Sequence, residues 1–207
     1  ALSAFEGVYS SLSFNETITG LGIVLGQLAH ESAEFQTTEE NLNYSARGLM
    51  RVRSGLSLSE AQAIAIRGPK AVGEFLYGSH KGLGNTESGD GFRYRGAGYI
   101  HLTGRGNFQR ASTACGFDYV RRPDLARKPK HAWLISDWFL KTTKHSYWSL
   151  VRLAEKGEVA KVSRRINGGT NGMKQRETRA ELAIEAMAKA LPDFPVVALN
   201  KAQNRVR

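Results

Sequence analysis

Two glutamates near the start of the chain have the residue type and the spacing that acid-base chemistry requires. Glu31 follows a strongly apolar stretch, and Glu40 comes nine positions later, within HESAEFQTTEENLNYS (30–45). Hydrolases of sugar chains use such a pair, in which a carboxylic acid in apolar surroundings gives a proton and a better solvated carboxylate acts as base or nucleophile. The pair therefore indicates acid-base cleavage of a glycosidic bond, provided that the chain folds to hold both groups.

The residues before Glu31 predict the helix that would hold it. Over residues 17–34, apolar side chains recur at three- and four-residue spacing and mark one buried stripe: Ile18, Leu21, Val24, Leu25 and Leu28. Glu31 continues the stripe, so we expect its carboxyl on the buried side, where loss of water favours the protonated form.

Glu40 is expected on a loop, because the polar residues 36–39 break the helical pattern. Such a loop would fold back across a cleft from Glu31. Glu34 and Glu39 are further acids in this stretch, and we interpret both as surface residues. The pattern alone fits a surface role for Glu31 and Glu40 about as well as a catalytic one.

Composition sets the limits of the fold and its partners. A chain of 207 residues with 41% hydrophobic content can bury one sizeable core with room for a small second lobe, which predicts a single domain over 1–207. No apolar run reaches membrane-spanning length, and the first residues do not resemble a secretion signal. The single Cys115 cannot form an internal disulfide, which fits a reducing compartment.

The net charge of +10 predicts attraction to polyanions such as nucleic acids, anionic lipids and bacterial envelope polymers. No nucleic-acid-binding motif is visible, so nucleic acid is not expected as a partner. Basic residues form two clusters along the sequence. The first lies around two prolines and contains Arg121, Arg122, Arg127, Lys128 and Lys130. The second precedes a glycine turn and contains Lys161, Arg164 and Arg165.

The rest of the chain predicts helices around a loop-rich middle. SLSE (57–60) is a capping box that opens a short helix, and a second short helix runs through AVGEFLYG. Further helices are predicted over 130–143, around Val159 and Val162, and over about 174–190. Residues 79–106 are rich in glycine and predict loops that approach a ligand closely, with rings suited to sugars at Phe92, Tyr94, Tyr99 and His101.

Metal and nucleotide sites are not expected. The HE pair at 30–31 lacks the second histidine of a zinc-binding HExxH helix, and the remaining histidines are scattered. GAG at 96–98 lacks the third glycine of a dinucleotide-binding loop. The sequence therefore predicts no metal and no cofactor, and it disfavours a zinc amidase or peptidase.

Three separated motifs together resemble a known family. HES, F and EENLNYS, then GNTESGDGFRYRGAGYIHLTGRGNF, then RRINGG are similar, in this order and spacing, to glycoside hydrolase family 19 in its bacteriophage endolysin branch, with chitinases as more distant relatives. The resemblance covers about residues 21–179. It implies a mainly α-helical, two-lobed, lysozyme-like fold, with the glycine-rich loops lining a central cleft and no separate wall-binding domain.

The resemblance also implies roles for individual residues. Glu31 matches the general acid, Glu40 the general base, and Thr103 the residue that helps to hold the attacking water. Thr103 would equally suit a helix cap. Asn107 and Asn167 match substrate contacts, with a turn as the alternative role of Asn167, and Arg176 or Arg179 matches an arginine of the charge network around the acid. Asn43, Tyr44, Tyr99 and His101 are further predicted substrate contacts.

Two positions depart from the pattern of the chitinases. His101 stands where they carry Gln, which leaves the preferred sugar open. Ala33 and Glu34 replace a common glycine pair, which puts an additional negative charge near Glu31.

The activity implied by the resemblance is an endolysin that hydrolyses β-1,4 bonds between N-acetylmuramic acid and N-acetylglucosamine with inversion. Inversion leaves room for a water, so the two carboxyl groups are expected about 6.5–9.5 Å apart. The alternatives are a chitinase, a lytic transglycosylase with one acidic residue, and a noncatalytic envelope-binding protein. An endolysin would act as a monomer, stay in the host cytoplasm until it reaches the wall, and contact the anionic envelope without inserting stably into a membrane.

Overall fold

The structure is a computed structural model of the whole chain. It describes residues 17–142, 147–167 and 172–193, together with the isolated positions Ser3, Phe5, Gly7, Gly169 and Val196. The tail after Val196, which is polar and basic at its end, lies outside the described residues.

Helices dominate the described part of the chain. Their bounds are α1 Ile18–Glu31, α2 Ala46–Val52, α3 Leu58–Ala65, α4 Gly68–Tyr77, α5 Asp90–Arg93, α6 Arg105–Cys115, α7 Pro129–Thr142, α8 Tyr147–Glu155, α9 Val159–Asn167 and α10 Met173–Ala190. Short 3-10 helices cover Lys81–Leu83 and Pro123–Arg127. None of the helices in the described ranges is long and apolar enough to cross a membrane.

Side-chain caps and a proline mark the starts of three helices. The Thr17 hydroxyl caps α1 by accepting from the Gly20 amide, and Ser57 and Glu60 form the predicted capping box of α3. Gly68 and Pro69 mark a break between two helices, because α3 ends at Ala65 and α4 begins with this pair. Proline is well tolerated in a first helical turn, because the amide it lacks would have had no partner there.

Two glycines of α1 allow α10 to pack closely against it. A Cβ atom on Gly22 would lie 2.4 Å from the side chain of Ile184, and one on Gly26 would lie 2.6 Å from the backbone of Ala180. The contacts step by one turn along each helix in opposite directions, so the helices run antiparallel. The next turn brings Arg176 against the end of α1.

The described core consists of three apolar clusters. The first joins α1 to α7, α8, α9 and α10 around residues such as Leu28 and Trp133. The second lies beneath the glycine-rich segment and includes Tyr94 and Phe108, and the third holds α2, α3 and α4 together around Leu49. The glycine-rich segment therefore lies over a core of its own. Whether the chain is one domain stays a prediction.

The glycine-rich segment contains no extended strand in its described part, as the sequence predicts. Two isolated bridges order it, one between Glu39 and Ala97 and one between Ala97 and Leu102. Gly104 needs its glycine, because its φ is +94° and a Cβ atom would lie 2.7 Å from Leu83. The bridges tie the loop that carries Glu40 to this segment.

Candidate active site

Glu31 is the last residue of α1, at the edge of the apolar stripe. Its side chain is 27% exposed and forms an ion pair with Arg176 of α10. The carboxyl was expected on the buried side, but it reaches solvent. Its cationic partner is one of the two arginines that the resemblance places near the acid. The helix ends here because the Ser32 hydroxyl bonds the Leu28 carbonyl, and residues 33–35 leave the helical conformation.

Arg176 connects Glu31 to the helical core. Its side chain is only 2% exposed, and its second guanidinium nitrogen donates to the Gln27 carboxamide oxygen at 2.7 Å. The Gln27 amide in turn donates to the Ser163 hydroxyl of α9 at 2.8 Å. A buried cation needs such partners. The chain of contacts holds the Glu31 carboxyl from three helices, and it makes Arg176 a positioning residue in the charge network around the acid that the resemblance implied.

Arg179 serves a different acid, which resolves the choice between the two arginines. It pairs with Glu34, and its guanidinium lies 3.4 Å from Nδ1 of His30. The additional negative charge expected from Glu34 is thereby compensated by a neighbouring cation. Burial and the positive charge of Arg176 lower the pKa of His30, against the smaller opposing effects of Glu31 and Glu34.

A strained turn follows Glu31. Ala33, Glu34 and Phe35 all have positive φ, with values of +48°, +59° and +62°. Side-chain-bearing residues rarely adopt this conformation, and three in succession require support from the surroundings. Phe35 supplies it by packing against the rings of Tyr99 and Trp133, with centroids 5.2 and 5.1 Å away.

Glu40 lies in the loop, as predicted, and is held by different contacts. The Tyr77 hydroxyl donates to its carboxylate at 2.6 Å, and the Gly96 amide donates to the other oxygen at 3.0 Å. The Glu40 amide completes a closed pair by donating to the Gly96 carbonyl. Burial and the neighbouring Glu40 raise the pKa of Tyr77 well above its usual range, so the phenol stays protonated and remains a donor. Gly96 must be glycine, because a Cβ atom would lie 2.9 Å from that of Glu40.

Glu39, next to Glu40, faces two cations. It accepts from Nε of Arg95 at 2.8 Å, and its other oxygen lies 3.6 Å from the largely buried Arg127. Arg127 therefore does not belong to an exposed basic cluster, which corrects one member of the set predicted from sequence. The remaining members, Arg121, Arg122, Lys128 and Lys130, are exposed.

Thr103, His101 and Asn107 lie together in the glycine-rich segment. The Thr103 hydroxyl donates to the His101 carbonyl at 2.8 Å, and the Asn107 amide donates to the Thr103 carbonyl at 2.6 Å. The Asn107 oxygen accepts from Arg110, so its amide group serves the local structure. His101 packs beside Gly96, and its Cβ lies 3.1 Å from where a Gly96 Cβ would be. The space left by the absent side chain of Gly96 is thus taken up by both His101 and Glu40.

Tyr99 is a core residue. Its side chain is 0% exposed and packs on Phe35 and Trp133. A ring with no exposed surface cannot contact a sugar, so the substrate role implied for Tyr99 is wrong.

The other predicted contacts divide between exposed and undescribed positions. Asn43 is exposed and bonds Asn41, and Tyr44 is half-buried with a pKa raised by burial and by Glu40. Asn167 ends α9, but its side chain lies outside the described residues.

Two residues of the site were missed in the sequence. Gln27 lies four positions before Glu31, so the helical period alone places both on one face. Nothing in the sequence around Tyr77 points to Glu40, because 37 residues separate them. No group of three or more metal-ligating side chains suited to an ion occurs within the described ranges.

The site combines an acid held by helices with a second carboxylate held by loops, on a mainly helical scaffold. Such a scaffold with two supported carboxylates is the kind that lysozyme-like glycoside hydrolases use. The comparisons with known proteins agree with this class. No family model matches the chain.

A curated relative shows the family. The chain is 33% identical over 180 residues to a glycosyl hydrolase family 19 domain-containing protein of Haemophilus influenzae, which covers 84% of this chain and 86% of the relative. The chain therefore belongs to glycosyl hydrolase family 19 and is a glycoside hydrolase, with a polysaccharide as its class of substrate.

Solved structures show the same fold. A bacterial family 19 chitinase matches with a TM-score of 0.56 and 18% identity, over 89% of this chain and 81% of the other. Chitinase C from Streptomyces griseus matches with a TM-score of 0.53 and 16% identity, over 95% and 69%. The predicted fold class, mainly helical and lysozyme-like, is confirmed.

Proposed function

We propose that this glycoside hydrolase cleaves β-1,4 bonds between N-acetylmuramic acid and N-acetylglucosamine in bacterial peptidoglycan, with inversion, and that it acts as an endolysin. The observation that carries the acid-base assignment is the separate support of the two carboxylates. Glu31 pairs with the buried Arg176, whereas Glu40 accepts from Tyr77 and from the Gly96 amide. Each group is thus oriented by its own set of partners, which suits two different roles.

Glu31 is the general acid in this proposal. It gives its proton to the glycosidic oxygen as the bond breaks, which leaves a carboxylate at the end of α1. Arg176 stabilises that carboxylate, because its guanidinium is already fixed by Gln27 and need not move during the reaction. The buried arginine therefore lowers the free energy of the charge that forms on the acid.

Glu40 is the general base, and Thr103 orients the water. The Thr103 hydroxyl donates its hydrogen bond to the His101 carbonyl, so it can only accept a hydrogen bond from a water. A water that donates one hydrogen to Thr103 and one to Glu40 keeps a lone pair free to attack the sugar. Glu40 then takes the proton while Glu31 donates its own on the opposite face.

The charge of the chain supports peptidoglycan as the polymer. A net charge of +10, with exposed basic residues at 121, 122, 128 and 130, favours association with an anionic envelope. We further propose that the protein is held in the host cytoplasm until lysis and then reaches the wall as a monomer. If binding to wall fragments does not weaken as salt is raised, the proposed electrostatic attraction to the envelope is contradicted.

Mass spectrometry of digested peptidoglycan tests the reaction. Wild type should release reducing muramic-acid ends, while Glu31→Gln and Glu40→Gln should release almost none. Glu185→Gln is the matched control, since Glu185 is an exposed acid that pairs with Lys189 on the surface of α10. Anhydro ends would instead indicate a transglycosylase, reducing glucosamine ends a glucosaminidase, and cleaved stem peptides a peptidase or amidase.

Chitin is the second candidate substrate, because the similar solved structures are chitinases by name. The same two carboxylates would act on a polymer of N-acetylglucosamine. Digestion of chitin oligomers in parallel separates the two candidates. Faster cleavage of chitin oligomers than of peptidoglycan would favour the chitinase, and binding to walls without any cleaved product would favour a noncatalytic protein.

A further inference from the structure

A cavity of about 330 Å³ lies beside Tyr77, the residue that donates to Glu40, and its lining contains two tyrosine rings and two basic side chains. Tyr77 and Tyr44 belong to it, and both lie within electrostatic reach of Glu40. Arg53 and His80 supply the basic groups, and the remaining wall is formed by Val52, Leu76 and Leu83. The cavity is therefore continuous with the residues that hold the base.

Arg53 is anchored but retains capacity for a ligand. One guanidinium nitrogen donates to the Leu76 carbonyl at 3.1 Å, which fixes the side chain over the cavity wall. Within the described part of the chain no carboxylate forms an ion pair with Arg53, whereas Arg95, Arg105, Arg176 and Arg179 each have one. A guanidinium has several N–H donors arranged to match a carboxylate.

Arg53 and Tyr77 line the same cavity. The positive charge of Arg53 also opposes the effects of burial and Glu40 that raise the pKa of Tyr77. His80, exposed at the mouth of the cavity, adds a second basic group. Glu40 is negative and lies beyond the Tyr77 hydroxyl, so an anion is favoured only at the Arg53 end.

We propose that this cavity binds a carboxylate carried by the muramic-acid residue next to the scissile bond, through Arg53. The inference rests on the proposed function and names the substituent that would distinguish peptidoglycan from chitin. Chitin carries no carboxylate, so Arg53 would have no partner there. The carboxylate comes either from the stem peptide or, in strands without peptide, from the lactyl group itself.

Three polymers with the same glycosidic bond test the proposal. They are intact peptidoglycan, strands from which the stem peptide has been removed, and the stripped strands with their lactyl carboxyls converted to neutral methylamides. Arg53→Gln should raise KM about tenfold or more on at least one of the charged polymers, because a charge-assisted bidentate contact is lost. It should leave KM on the neutral polymer unchanged. A rise in KM only on intact peptidoglycan identifies the stem peptide as the source of the carboxylate. A rise in KM on stripped strands identifies the lactyl carboxylate.

Arg51→Gln is the matched control, because Arg51 is an exposed residue of α2, the helix that ends just before Arg53, and does not line the cavity. The control should leave KM unchanged on all three polymers. An equal rise in KM for the Arg53 and Arg51 variants would show a general charge effect. A rise in KM for Arg53→Gln that is as large on the neutral polymer as on the charged ones would show that Arg53 only supports Tyr77. Either result overturns the proposal.

Failure of the proposed function has a separate signature. Wild type would then release no muramic ends from any of the three polymers. Binding of the muramic-acid disaccharide to Glu31→Gln, measured by NMR both for the bare disaccharide and for the disaccharide with its stem peptide, still tests the cavity in that case. If Arg53→Gln weakens the binding of neither ligand, the inference is overturned.

Discussion

The two ends of the site are built from different kinds of structure. Glu31 ends a helix and is held by buried side chains, with Arg176, Gln27 and Ser163 linking three helices. Glu40 lies in a loop and is held by one phenol and one backbone amide. Side chains in a packed core are costly to rearrange, whereas loop contacts adjust more readily. The acid is therefore fixed by packing, and the base by a few polar contacts.

The comparison predicts the largest effect at the acid itself. Glu31→Gln removes the proton donor and should lower kcat by about 10²- to 10⁴-fold, the range that general acid catalysis contributes. The free energy of unfolding should change little by comparison, because the amide still accepts from Arg176. The measurement is kcat on purified peptidoglycan beside urea denaturation. A kcat within about threefold of wild type would remove Glu31 from the proposed mechanism.

Removal of the buried cation should show how far the core holds the acid. Arg176→Ala leaves Gln27 and Glu31 without their partner, and we expect a loss of about 3 kcal/mol in the free energy of unfolding. Urea denaturation measures it. Arg179→Ala provides the control, because its partner Glu34 is exposed and such a pair contributes less than about 1 kcal/mol. Equal losses for the two variants would contradict the contrast between buried and exposed contacts.

At the other end of the site, Tyr77→Phe removes only the hydroxyl that donates to Glu40. We expect kcat to fall about tenfold, because the lost bond is to a carboxylate that must stay oriented. Tyr119→Phe makes the same chemical change at a buried tyrosine that contacts His131 instead. Its kcat should match that of wild type. If both variants behave alike, the Tyr77 contact does not orient the base.

The smallest expected effect is on how stability depends on pH, which should differ between the Glu31 region and the glycine-rich segment. The pKa of His30 is lowered in the folded protein, so the unfolded chain binds more protons and stability falls as the pH drops below about 6.5. Burial opposes ionisation of Asp90 in the glycine-rich segment, but hydrogen bonds from Arg105 and from two backbone amides prevail and lower the pKa of this carboxyl. Its contribution is present above about pH 3.8 and is lost only as the pH falls further.

Urea denaturation between about pH 7 and pH 3 measures this difference. His30→Gln should flatten the decline in stability just below pH 6.5, although His131 leaves part of it, since burial lowers its pKa as well. Asp90→Asn should change the profile only at the acidic end. An unchanged slope in the His30 variant would show that this histidine does not couple pH to the Glu31 region.

Much of the local structure was predictable, because it depends on contacts close in sequence. The stripe from Ile18 to Leu28, the capping box at Ser57 and the loops of the glycine-rich segment follow from helical period, side-chain capping and backbone freedom. The motifs around Glu31 and Thr103 also indicated the family, which the curated relative confirms.

The sequence by itself determined the helices, the candidate acid and base, and the class of reaction, because each depends on residue type at short spacing. Only the tertiary structure decided between Arg176 and Arg179, put Tyr99 in the core, and brought Tyr77 to Glu40. These contacts join residues 37 to 145 positions apart. Their partners are set by how helices and loops pack, as where Gly22 and Gly26 let α10 approach α1, and short-range patterns do not encode that packing.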